Sequence, residues 1–179
     1  ETYYNPLIRQ MRALGKPIVC AVNGVAAGAG ANIALAADIV IAARSASFIQ
    51  AFARIGLVPD AGGTYWLTRH LGEARAKGLA LTAEPLPAQT AAEWGLIWKC
   101  VDDRDLQAEA EALAQRFANG PATAYALTKQ LIHAASTNSL DEQLDMERSF
   151  QREAGWSDDY REGVAAFLQK RKADFRRKA

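Results

Sequence analysis

Apolar residues at Leu7, Ile8, Met11 and Leu14 recur at the spacing of one helix face, and Gly15 closes that run. Lys16-Pro17 then leads into Ile18-Val19-Cys20-Ala21-Val22, an unbroken apolar stretch of strand length that predicts a buried parallel strand. Asn23-Gly24 turns the chain into small residues from Val25 to Asn32, and these pass into a helical segment, Ile33 to Ala37. After Asp38 comes a second β-rich run, Ile39 to Ile41, so the order is strand, loop, helix, strand, as in α/β folds.

Beyond Thr64 the pattern is mostly helical, with breaks at Gly72, Glu84-Pro85-Leu86-Pro87, Gly95 and Gly120-Pro121. Leu106, Ala110, Leu113 and Phe117 form one apolar stripe, and Tyr160, Val164, Phe167 and Leu168 another. Between them, Pro121 sits just inside the start of a helix carrying Ala124, Leu127, Leu131 and Ile132. Asn138-Ser139 precedes a helix with Leu140, Leu144 and Phe150. These stripes need an α/β layer or another subunit to cover them. No repeat or flexible linker divides the chain.

Composition narrows this picture. The chain has 179 residues, 50% of them apolar, and 21 basic against 20 acidic side chains, which fits one globular domain with a real core. Asn23, Asn32, Asp38 and Arg44 interrupt its most hydrophobic region, so no membrane span is expected. Cys20 and Cys100 lie in short apolar runs and read as reduced, buried thiols of a cytoplasmic protein. The first residue is Glu1 and a helical pattern begins almost at once, from which a start inside a longer fold is expected.

The most informative chemistry lies in Gly56-Leu57-Val58-Pro59-Asp60-Ala61-Gly62-Gly63-Thr64. Asp60 is its sole carboxylate, and the residues around it serve backbone placement or burial. It reads either as a catalytic base on a turn, partly desolvated by Val58 and Ala61, or as the N-cap of the following helix. A second stretch, Gly24 to Asn32, follows a strand and opens a helix, so its backbone N–H groups suit an oxyanion or a phosphate. Close packing of helix on sheet accounts for its small residues equally well. Dinucleotide binding fails, because Ile33 stands where the third glycine belongs and Asp38 follows too soon.

Other constellations are missing. His70 and His133 have no metal-ligand spacing to another ligand type, and no metal site is expected. A nucleophile elbow and a phosphate-binding Gly-Lys-Ser/Thr loop are absent. The closing basic run, Lys170 to Lys178, reads as a solvated helix end, then as a contact for a phosphate-bearing ligand, with nucleic acid the least favoured.

Taken together, Lys16-Pro17, Asn23-Gly24, Gly28-Ala29-Gly30, Asp38-Ile39, Gly56 to Thr64, Gly95-Leu96-Ile97, Arg161-Glu162-Gly163 and Lys170-Arg171-Lys172 resemble the crotonase, or enoyl-CoA hydratase/isomerase, superfamily from end to end. The resemblance implies an α/β fold with a ββα spiral core lacking its N-terminal part. Residues 1–120 would be the C-terminal part of that core, and 121–179 a helical region that forms trimers, or dimers of trimers, and contacts CoA. It also implies acyl-CoA substrates, no separate cofactor, and an oxyanion hole with the Ala29 backbone N–H as one donor, flanked by Gly28 and Gly30. The other donor would come from the absent part. The two glutamates of the family's hydratases fall here on Asn32 and Phe52, neither of which can act as a base. The Asp60 position is a catalytic aspartate in the family's isomerases.

Tyr4-Asn5-Pro6-Leu7, Gly24 to Ser47, Val58-Pro59-Asp60, Glu93-Trp94-Gly95 and Ser157 to Arg171 are most similar to isomerases of bacterial phenylacetate degradation, which convert a ring-1,2-epoxyphenylacetyl-CoA to an oxepin-CoA. Phe48, Phe52 and Trp66 are then expected as walls for an aromatic acyl group or as core residues, and Phe167 and Lys170 as contacts to the CoA nucleotide. Other enzymes of that degradation are possible partners. Hydration in fatty-acid oxidation, or a silent scaffold of the same fold, are the alternatives.

Overall fold

The computed structural model describes residues 2–176 and divides into two compact units. The first holds the chain up to Ala13 and Ile18–Leu113, and the second holds Leu14–Pro17 and the chain from Ala114 onward.

In the first unit α1 (Tyr4–Ala13) precedes β1 (Val19–Val22), β2 (Val25–Ala27) and α2 (Ala29–Leu35). The same order returns as β3 (Ile39–Ala43), β4 (Ser47–Ile49), a short helical turn (Ala51–Ile55) and α3 (Gly63–Thr82), so two successive ββα turns are wound. Then come β5 (Leu86–Pro87), α4 (Ala88–Glu93), β6 (Lys99–Val101) and α5 (Leu106–Ala118), whose last residues belong to the second unit. One sheet is parallel, in the order β1-β3-β6, with Val19 opposite Ile39 and Ile41 opposite Lys99. The other has the order β2-β4-β5, with β2 parallel and β5 antiparallel to β4.

The central strand β3 is paired on both edges and almost wholly buried, which is why Ile39 to Ala43 reads as a continuous apolar run. Asp38 sets its start: the carboxylate accepts the Ile18 N–H at 2.7 Å and ties the two strand beginnings together. Leu35, Ile41, Phe48, Leu67, Leu86 and Ile97 are among the core residues between the sheets and helices. Truncating the fully buried Leu67 to alanine is a change of the kind that costs about 2–5 kcal/mol. Gly72, at φ 74 and ψ 169, breaks α3 into two helical pieces, at the break the sequence marks.

Several expectations need correcting. The simple strand, loop, helix, strand reading misses β2 and β4, which pair in a second sheet, and the helical reading beyond Thr64 misses β5 and β6. Cys20 on β1 and Cys100 on β6 are free thiols, half-buried rather than buried, and burial pushes both thiol pKa values up. Among the described residues no helix is long and apolar enough to cross a membrane.

The second unit contains α6 (Ala122–Ala134), α7 (Leu140–Gly155) and α8 (Asp158–Leu168). Pro121 lies at the N-cap of α6 rather than inside it. The Asp159 carboxylate on α8 accepts the Thr123 N–H at 3.1 Å, and Gln143 on α7 donates to the Leu131 carbonyl of α6 at 3.2 Å. Buried Lys129 donates to the Lys16 carbonyl at 2.9 Å, which anchors the Leu14–Pro17 segment in this unit. At the end of α8, Lys170 adopts φ 53 and the Arg171 N–H returns to the Ala166 carbonyl, closing the helix with a left-handed turn. The basic run is partly neutralised, since Arg171 forms a two-pronged pair with Glu162 and Arg176 faces Asp174. Its last members, Arg177 and Lys178, lie outside the described residues.

Candidate active site

The loop that carries Asp60 is held from its inner side. Gly56, at φ 72, ends the helical turn after β4, and the Leu57 N–H returns to the Phe52 carbonyl at 3.0 Å. Of the two apolar neighbours expected to shield the aspartate, Val58 is exposed and only Ala61 is buried. Ala61 then adopts φ 46 and Gly62 φ 80, two left-handed residues in succession before α3 begins. For an alanine that conformation costs roughly 1–2 kcal/mol, so the surroundings must enforce it. They do so through carbonyls. The Asp60 carbonyl accepts the Gly63 N–H at 2.8 Å and the Asn32 side-chain amide at 2.9 Å, and the Ala61 carbonyl accepts the Trp66 indole N–H at 3.2 Å.

With the backbone fixed inward, the Asp60 side chain is exposed and has no hydrogen-bond or ion-pair partner among the described residues. The N-cap reading fails, because Gly62 is the N-cap of α3 and no side chain caps it.

The second candidate element adjoins this loop. Gly28 has φ 55 and ψ −125, a conformation favouring glycine, and its N–H donates to the Ile49 carbonyl at 2.8 Å. Helix α2 starts at Ala29, so the N–H groups of its first turn have no intrahelical acceptor, and no side chain caps them. The Gly28 carbonyl accepts the Asn32 N–H at 3.2 Å. Asn32 therefore belongs to the first turn of α2 through its backbone and to the Asp60 loop through its side chain. Ala29 is half-buried and Gly30 exposed, with open space on the side where a Cβ would stand.

The aromatic candidates separate. Phe52 is buried with its ring against Gly28, where a Cβ would lie 3.5 Å from the ring tip, so it packs beneath the start of α2. Phe48 is core. Trp66 is only 4% exposed and serves chiefly as a pin for the Ala61 carbonyl. Its ring meets Tyr65 edge to face at 4.8 Å, and the Arg12 guanidinium lies 5.2 Å from its centroid. With Gly62, Ile8, Arg12 and Tyr65 it lines a cavity of about 730 Å³ between α1 and α3. Phe167, 82% exposed, and Lys170, also exposed, belong to the second unit. Among the described residues no group of three or more His, Cys, Asp or Glu side chains could hold a metal ion.

The profile of the enoyl-CoA hydratase/isomerase family matches residues 1–178. The chain belongs to that family. Among family members, it is 57% identical over 175 residues to the 1,2-epoxyphenylacetyl-CoA isomerase of Escherichia coli (strain K12), an alignment covering 98% of this chain and 67% of the relative. The trans-2-decenoyl-[acyl-carrier-protein] isomerase of Streptococcus mutans is 37% identical over 171 residues, 96% of this chain and 65% of the relative. The crystal structure of an enoyl-CoA hydratase from Polaromonas sp. JS666 superposes with a TM-score of 0.92 at 37% identity, covering 96% of this chain and 66% of the other. The chain thus spans about two thirds of the length of the curated relatives it matches, 67% and 65%. The family is one of enzymes, and the ββα turns of the first unit fit its fold.

Sequence reasoning found Asp60 and the Gly28-Ala29-Gly30 turn but assigned no role to Gln50 and saw in Asn32 only a lost glutamate. In the structure Asn32 is fully buried, bonded to the Asp60 carbonyl, and held by Gln50 at 2.8 Å. Isolated polar residues among apolar neighbours, Asn32 between Ala31 and Ile33 and Gln50 beside Ile49 and Ala51, were the available signal.

Proposed function

We propose that this chain carries the base and one oxyanion donor of an acyl-CoA isomerase acting on ring-1,2-epoxyphenylacetyl-CoA and related enoyl-CoA double bonds. The observation that carries the proposal is an exposed Asp60 carboxylate, without a partner among the described residues, whose backbone is bonded, through Asn32, to the first turn of α2. In this reading the thioester oxygen docks on the Ala29 N–H, between Gly28 and Gly30. On a 3-enoyl-CoA, Asp60 takes the proton from the α-carbon, the negative charge moves to that oxygen, and Asp60 returns the proton at the γ-carbon, so the double bond shifts with no net change in composition. An oxyanion donor contributes about a hundredfold to a thousandfold, and a positioned base about a hundredfold to ten-thousandfold.

The residues also weigh against hydration. Asn32 is an amide already engaged on both sides, and Phe52 is apolar, so neither supplies a second carboxylate for water. The identity to the Escherichia coli isomerase supports the aromatic substrate. The CoA thioester is itself the substrate and no further cofactor is required. Phe167 and Lys170 are assigned to the CoA nucleotide, the helices of the second unit to a homotrimer or a dimer of trimers, and the setting to the cytoplasm beside other phenylacetate-degrading enzymes.

The deciding experiment follows conjugation of a 3-enoyl-CoA by absorbance in the parent and in Asp60→Asn. The variant is expected to fold and bind the ester, with turnover lower by about a hundredfold or more. Turnover within a few-fold of the parent would remove Asp60 from the mechanism, and no signal from the parent would favour a silent scaffold.

A further inference from the structure

The buried amides behind the Asp60 loop form a chain whose orientation the backbone decides. A carbonyl only accepts, so the Asn32 atom 2.9 Å from the Asp60 oxygen is the Nδ2 donor. Asn32 Oδ1 is thereby turned toward Gln50, which must present Nε2–H to it, at 2.8 Å. Gln50 Oε1 is left as a buried acceptor without a partner among the described residues. Both side chains are shut away from solvent, Asn32 at 0% and Gln50 at 4% exposure. The space is also shaped for the asparagine, because a Cβ at position 63 would overlap its amide.

Filling this volume with apolar side chains would leave no orphaned acceptor and would be the cheaper way to build a core. Retaining two amides is explained by the directional bond at their end. Two consecutive carbonyls, Asp60 and Ala61, are bonded from inside by Asn32 and Trp66, while the residue between the following peptide units is held left-handed.

We infer that Asn32 is the positioning residue of Asp60, its amide oxygen held by Gln50 and its amide N–H fixing the backbone from which the carboxylate projects. The inference rests on the reading of Asp60 as the base, and its test therefore includes a signal independent of activity. In the full-length protein, Asn32→Leu keeps the branched outline of the side chain but removes both amide bonds. Loss of positioning is expected to lower kcat by roughly 10- to 100-fold, a scale typical of a small misplacement, while KM for the 3-enoyl-CoA changes by less than about threefold. The Trp66 indole N–H resonance is expected to move and the Gly63 amide, bonded to the Asp60 carbonyl, to exchange faster with solvent. The indole signals of Trp94, Trp98 and Trp156 serve as internal references.

A folded Asn32→Leu protein with kcat within about twofold of the parent, or with unmoved Trp66 and Gly63 signals, overturns the inference. If that variant does not fold, Gln50→Leu decides by the same measurements. It leaves Asn32 in place but removes the bond that holds its amide oxygen, so lower kcat with a shifted Trp66 signal supports the inference, and parent values refute it. Should Asp60→Asn retain turnover, the catalytic reading fails alone, because the indole and amide signals still report whether Asn32 holds the loop.

Discussion

Gly63 illustrates how a single hydrogen in place of a methyl group sets the site. Its N–H bonds to the Asp60 carbonyl at 2.8 Å, and its Cα faces the Asn32 amide so closely that no Cβ fits between them. A methyl group there must push Asn32 away from the Asp60 carbonyl or displace the start of α3, and overpacking of this kind costs about 1–3 kcal/mol. Gly63→Ala is therefore expected to lower the urea midpoint by a corresponding amount and to reduce turnover along with stability. A variant with parent stability would mean that the Asn32 contact is looser than the structure shows. Asp60 itself needs no such accommodation. Its side chain points to solvent, so Asp60→Asn is expected to leave the midpoint close to that of the parent, and the two substitutions separate effects on the loop from effects on the chemistry.

At the scale of elements, α7 shows how local sequence defines a helix without a core. The Ser139 hydroxyl accepts the Glu142 N–H while the Glu142 carboxylate accepts the Ser139 N–H at 2.8 Å, a reciprocal cap at the start of a helix with no buried residue. Ser139→Ala is expected to lower stability by about 1 kcal/mol in thermal unfolding. The bond from the Ser139 N–H, followed by that from its hydroxyl, holds the Glu142 pKa below the ordinary glutamate value. A depressed folded-state pKa gives stability that is full above the unfolded value and lost as pH falls through the folded one. The midpoint difference between the parent and Glu142→Gln should accordingly be present at neutral pH and fade in acid. That cap was legible as Asn138-Ser139 before an apolar stripe, α5 to α8 were legible because each carries enough residues to show a period, and β1 and β3 were legible as unbroken apolar runs. β2, β4 and β5, the strands of the second sheet, hold only Val25–Ala27, Ser47–Ile49 and Leu86–Pro87, and β6 of the first sheet only Lys99–Val101, too short for any alternation, so the second sheet was implied by family resemblance rather than by pattern. The site divides in the same way. Asp60 and Gly28 to Gly30 stand out by residue type, whereas the partner of Asn32 is a backbone carbonyl, which leaves no mark in a sequence.

At the scale of the whole molecule the outstanding feature is the apolar surface of the second unit. Trp156, Tyr160, Val164, Phe167 and Leu168 are exposed, and all but Trp156 line a cavity of about 610 Å³ along α8. Contiguous exposure of large apolar side chains marks surfaces that are covered in the working assembly. The trimer that the family resemblance implies, built through these helices, would make further copies of the same chain the cover. Phe167 and Leu168 are 82% and 73% exposed, so replacing both by glutamate removes little packing within the unit and should leave its helical circular dichroism unchanged. What the double substitution is expected to change is association, because each copy would then bring charged carboxylates into an apolar contact and lose the desolvation that drives it. Light scattering behind size exclusion is expected to give a trimeric or hexameric mass for the parent and a monomeric mass for Phe167→Glu/Leu168→Glu, most clearly at low protein concentration. An unchanged assembly in the double variant would place the subunit contact elsewhere and leave this surface to another occupant, with the CoA contacts assigned to Phe167 and Lys170 then tested by binding rather than by mass.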